Sequence, residues 1–60
     1  MSGYTVSNSI DAIEEYCNNP SKYPAWQLKT AINDAYVHYE NGLKSKQWYE
    51  YVVLCLSEYI

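Results

Sequence analysis

His38 is the single histidine of the chain and stands four residues after Asp34, the spacing at which a helix sets a carboxylate beside an imidazole. A pair of this kind can do acid–base chemistry when the carboxylate orients the ring. Catalysis also requires a nucleophile or a metal, and a cleft that holds the substrate. A helical domain of 60 residues has little room for such a cleft. Zinc normally takes at least three protein ligands, and no Cys or second His lies at close spacing. Gly3 and Gly42 are the only glycines, too few for a phosphate-cradling loop, and GxSxG and CxxC motifs are absent. His38 and Asp34 are therefore expected to form a solvent-exposed helical pair, and the chain to be no enzyme, with no cofactor and no metal.

Two other groups of reactive side chains are open to a chemical reading. Cys17 and Cys55 each continue an apolar stripe, where a thiol behaves as a small hydrophobe, so both are expected to be reduced and buried rather than joined. Asp11, Glu14 and Glu15 form an acidic patch on the polar side of the first amphipathic segment. A surface that imitates DNA phosphates needs a far denser charge than a net −3 provides. A solvated helix face is the expectation, with mimicry as the alternative.

These side chains are positioned by three periodic segments. Residues 1–5 are small and polar and read as a frayed end. Val6, Ile10, Ile13 and Cys17 then recur at helical spacing, with Thr5 or Ser7 as cap, until Asn18, Asn19 and Pro20 stop the pattern. Pro24 suits the first position of a second helix. Ala25, Leu28, Ile32, Ala35 and Tyr39 continue it as a seam that Tyr36 widens, and Asn41–Gly42 ends it in a left-handed stop. Ser45 can cap the third segment. From Trp48 onward the chain is so apolar that periodicity alone does not separate helix from buried strand; its length favours helix. On a helical wheel Trp48, Val52, Cys55 and Tyr59 make one stripe, and Tyr49, Val53, Leu56 and Ile60 a second, with Leu54 outside both. The expected fold class is all-α, one domain over residues 1–60. Helices 2 and 3 would form an antiparallel hairpin with helix 1 packed across it.

Composition narrows the functional classes. Seven acids face four lysines and no arginine, which leaves little to neutralise phosphates or read bases, so direct nucleic-acid binding is not expected. No apolar run approaches the roughly 20 residues of a membrane span. The first residues, MSGYTVSNS, lack the basic start and apolar core of a secretory signal, so a cytoplasmic location is expected. Eight Tyr and two Trp with no Phe suit half-buried edges and interfaces, although a small core can also use Tyr as filler.

Two apolar excesses point to partners. Trp26 and Val37 share a line with Thr30 and Asn33 on the side of helix 2 away from its seam, a candidate partner-binding surface. The second stripe of helix 3, Tyr49, Val53, Leu56 and Ile60 with Leu54, offers more apolar surface than one short helix covers, a candidate self-association surface. The function expected is a small protein–protein interaction module, a homodimer that binds and modulates a cytosolic protein. The alternative is an acidic regulator of nucleic-acid transactions, acting by DNA mimicry or by joining a DNA-binding complex. The small size and lack of catalytic motifs fit a phage-encoded accessory protein.

Overall fold

A computed structural model describes residues 6–60; the expectations for a frayed end over 1–5 and for a Thr5 cap lie outside the described residues. Within them the chain is all-helical: α1 (Ile10–Asn18), a single 3₁₀ turn (Pro20–Lys22), α2 (Ala25–Glu40) and α3 (Lys46–Ser57). No strand occurs among the described residues, so the apolar segment after Trp48 is helix.

Helix α1 begins later than its apolar period implies. Ser9 is its cap, with extended backbone and an Oγ that accepts the Ala12 N–H at 3.1 Å. Val6 precedes the helix, and Ser7 is engaged elsewhere, as described below. Ile13, Tyr16 and Cys17 point inward at spacings of three and four. The helix ends where Pro20 removes a donor and opens the 3₁₀ turn. Pro24 sits one position before α2 rather than within it, in extended backbone, and its carbonyl accepts the N–H groups of Gln27 and Leu28.

The buried face of α2 is rotated from the expected seam. Leu28 and Ala35 are fully buried, but Ala25 and Tyr36 are exposed, and Ala31, Asp34 and His38 complete the inner surface. The reason is that α2 packs against both other helices, so it must bury two adjoining flanks instead of one stripe. Ile32 and Tyr39 remain half-buried on the α3 side. At the far end the Leu43 N–H reaches the His38 carbonyl and the Gly42 N–H reaches that of Tyr39, both at 3.0 Å, the paired closing bonds of a Schellman motif. Gly42 has φ +79, whereas Asn41 stays at φ −81, so the left-handed residue is the glycine alone.

Helix α3 starts at the expected cap, where Ser45 Oγ accepts the Trp48 N–H at 3.1 Å. Its buried centre, Val52 and Leu56, combines one residue from each expected stripe. Trp48, Tyr49 and Cys55 pack beside them against Ile13, Leu28, Ala31 and Ala35.

The conformation at Gly42 supplies a stability test. A methyl group there meets nothing within 4 Å, so any cost comes from the backbone alone. Gly42→Ala should destabilise the fold by about 1 kcal/mol, a fall in Tm of about 4–8 °C, while Asn41→Ala leaves it nearly unchanged. Equal melting curves for wild type and Gly42→Ala would show that this turn does not hold the left-handed geometry.

Candidate functional site

The polar centre of the molecule lies where the segment before α1 crosses α2. Asp34 is fully buried and His38 is 8% exposed; the expected solvent-exposed pair is thus an interior one. Both are directed at Asn8. The Asp34 Oδ2 accepts the Ser7 N–H at 3.1 Å, the Asn8 N–H at 2.8 Å and the Asn8 Nδ2 at 2.9 Å. The His38 Nε2 lies 3.0 Å from the Asn8 carbonyl oxygen. A carbonyl can only accept, so Nε2 carries the proton. Tyr16 from α1 donates its hydroxyl to Asn8 Oδ1 at 2.8 Å and accepts from Gln27 Nε2 at 2.8 Å. Asn8 thereby uses its backbone N–H, its carbonyl and both side-chain polar atoms on α1 and α2.

Such an arrangement explains why a carboxylate is tolerated inside a small core. Burying an ionised group is costly unless hydrogen bonds to the charged form replace water, and three donors converge on one oxygen here. The imidazole is less completely satisfied. Among the described residues its Nδ1 is buried without a hydrogen-bond partner.

The acids of α1 divide in a way the helical wheel did not reveal. Glu14 turns toward α3, where its Oε2 accepts the Trp48 Nε1–H at 3.1 Å and lies 3.7 Å from Lys44 Nζ. Lys44 also sits 5.3 Å above the Trp48 ring. Asp11 and Glu15 are exposed, and Glu15 accepts a bond from Asn19 Nδ2 at 2.9 Å. Glu14 thus keeps a solvent-accessible side chain while bonding to Trp48 and lying beside Lys44. The tyrosines form contacts of their own. Tyr49 on α3 stacks on Tyr39 at 6.0 Å between centroids and meets Tyr36 edge-on at 5.5 Å, while Tyr16 meets Tyr23 edge-on at 4.5 Å. A hydrogen bond to Glu40, reinforced by its charge, pushes the Tyr36 phenol above its ordinary pKa.

Cys17 and Cys55 are both free thiols. Cys17 is buried as expected, but Cys55 is only half-buried. Burial first, and then the neighbouring Cys55 thiol, push Cys17 up to about 12.

The expected contact surfaces also need revision. Leu56 is fully buried in the core and cannot meet a second chain. Its place in the second stripe was misleading because α1 and α2 jointly cover the boundary between the two stripes. Tyr49 and Val53 are half-buried, Leu54 is 70% exposed and Ile60 lies exposed beyond the helix end. Leu54 stands between two open concavities. One, about 350 Å³, is lined by Tyr49, Glu50, Val53 and Leu54. The other, about 390 Å³, is lined by Cys17, Pro20, Leu54, Cys55, Glu58 and Tyr59. On α2, Trp26 is 68% exposed and Asn33 is exposed, while Thr30 and Val37 are partly covered. The Thr30 hydroxyl is turned inward onto the Trp26 carbonyl at 3.0 Å.

No protein-family model matches this chain, and neither a curated protein nor a solved structure does. Among the described residues no helix is long and apolar enough to cross a membrane, and no cluster of three or more His, Cys, Asp or Glu is placed to hold a metal ion.

Sequence reasoning missed Asn8, Tyr16 and Gln27 as members of the polar centre. The available signal was the interleaving of Asp34 and His38 with Ala31 and Ala35, since small residues on a helix face mark close approach by another part of the chain.

Removing the carboxylate measures what this centre contributes. Asp34→Ala leaves three donors without their acceptor and should cost about 2–3 kcal/mol, lowering Tm by roughly 10 °C or more. Loss of amide hydrogen-exchange protection should begin at the start of α1. A variant that melts like the wild type would mean that water replaces these bonds without penalty.

Proposed function

We propose that this protein is a non-enzymatic protein–protein interaction module that forms a homodimer through the outer face of α3 and binds a cytosolic partner elsewhere. The observation that carries this reading is Leu54, an exposed apolar side chain set beside an open apolar concavity on the same helix face. A two-fold contact uses one patch twice, so that patch must contain both a projection and its receptacle. Leu54 is the projection; the concavity walled by Tyr49 and Val53 is the receptacle. Two copies related by a two-fold would each seat Leu54 in the other's concavity. Helices 2 and 3 are read as an antiparallel hairpin carrying this face, with Ile60 at its margin.

The absence of catalysis in this reading is supported by the way the acid–base pair is used. The His38 Nε2 and Asp34 Oδ2 are directed at Asn8, so the two atoms with the best acid–base geometry are engaged in holding the chain. Phosphate mimicry is weakened by the pairing of Glu14 with Trp48 and Lys44.

Sedimentation across micromolar concentrations tests the dimer. The wild type should associate, and Leu54→Glu should remain monomeric with unchanged helical content, because a carboxylate at the contact would be buried unpaired. A wild type that stays monomeric at high micromolar concentration would overturn the two-fold contact.

The partner surface is assigned to Trp26 with Thr30, Asn33 and Val37. An exposed tryptophan can bury 150–250 Å² on contact, and hot spots are enriched in this residue. Once a partner is isolated, Trp26→Ala should weaken binding by about 2 kcal/mol or more while leaving stability nearly intact. Unaltered affinity would remove α2 from the binding surface.

A further inference from the structure

Cys17 and Cys55 are 38 positions apart in the chain, yet they line one concavity where α1 meets α3. They differ in access: Cys17 is buried, and Cys55 is half-buried at the wall. The opening, about 390 Å³ and bounded by Pro20, Leu54, Glu58 and Tyr59 as well as the two cysteines, gives a small molecule a path to both sulfurs. Cys55 has a further neighbour in Tyr51, one helical turn earlier, whose phenol is raised above its ordinary pKa first by a hydrogen bond with the Cys55 thiol. Both thiols thus face the same opening between α1 and α3.

We propose that Cys17 and Cys55 form a thiol–disulfide exchange site whose substrate is a small-molecule disulfide of the glutathione class, and whose product is a bond joining α1 to α3. The Cys55 thiolate attacks one sulfur of the small disulfide. A mixed disulfide forms at Cys55 and the first small thiolate leaves. Cys17, losing its proton to solvent, then attacks the Cys55 sulfur and expels the second small thiolate. Two protein S–H bonds are broken and one S–S bond forms; the small disulfide takes up the two electrons and, with two protons, ends as two thiols. Burial of Cys17 disfavours its thiolate, which makes the second step the slow one. The resulting loop encloses all of α2, so the oxidised form has a more restricted unfolded state and a higher melting temperature than the reduced form.

The test is to incubate the reduced wild-type protein with oxidised glutathione and measure intact mass under non-reducing conditions. The expected product is a monomer lighter by two hydrogens and free of glutathione. Peptide mapping should place the bond between residues 17 and 55, and thermal melting should shift upward and return after reduction. Cys17→Ala should stop at a glutathione adduct on Cys55, and Cys55→Ala should react much more slowly than wild type. Circular dichroism verifies that both variants are folded. If Cys17→Ala does not fold, brief exposure of the wild type to oxidised glutathione replaces it, with the first adduct expected at Cys55. A stable adduct on folded wild type, a link between two chains, or no reaction would each overturn the proposal.

Discussion

A buried carboxylate on the middle helix decides how this chain closes. Once Asp34 is interior, its charge must meet fixed donors, and the segment at Ser7 and Asn8 provides them. That requirement brings the segment across α2, where the Asn8 carbonyl meets His38 and its amide oxygen meets Tyr16. The direction in which α1 departs follows from these bonds, because Ser9 caps the helix immediately afterwards. Apolar packing alone would allow α1 to slide or rotate on α2 at small cost. Directed hydrogen bonds to a charged group permit one register.

The heavy use of tyrosine fits the same economy of space. A core of this size has few fully enclosed sites, and its largest enclosed side chains are aliphatic. Several of the tyrosine rings instead occupy the seams between elements. Tyr16 is the clearest instance: its ring packs against Tyr23 while its hydroxyl joins Asn8 to Gln27. Phenylalanine at that position would preserve the ring contact but leave Asn8 Oδ1 and Gln27 Nε2 without a shared partner. Tyr36, Tyr39 and Tyr49 provide a similar seam between α2 and α3.

Local signals proved readable and relational ones did not. Ser45 and Gly42 act through bonds to residues close in sequence, so their roles were visible in their chemistry and spacing. Helices α1 and α2 were legible from apolar periodicity for the same reason, whereas α3 was legible from its length. Which face each helix buries was harder to read, because α2 serves two neighbours and its inner surface widens to include a carboxylate and an imidazole. An Asp and a His one turn apart normally belong to a wet surface, and nothing within four residues shows that Asn8 will meet them. Leu56 differs from its expected exposure for a related cause. Its burial depends on where the other two helices lie, which its own helix does not reveal. Trp26 and Leu54, whose wheel positions disagree with their apolar character, are exposed in the structure, as that disagreement implies.

Protein chains are made from the amino end, which gives the anchoring of Asn8 a consequence in time. Its partners Asp34 and His38 lie 26 and 30 residues further along. While the ribosome is still adding α2, the segment at Ser7 and Asn8 has no carboxylate to accept its amides and no imidazole to bind its carbonyl. A helix as short as α1 has little persistence alone in water. Ser7 and Asn8, made before α2, are thus secured only after Asp34 and His38 have been added.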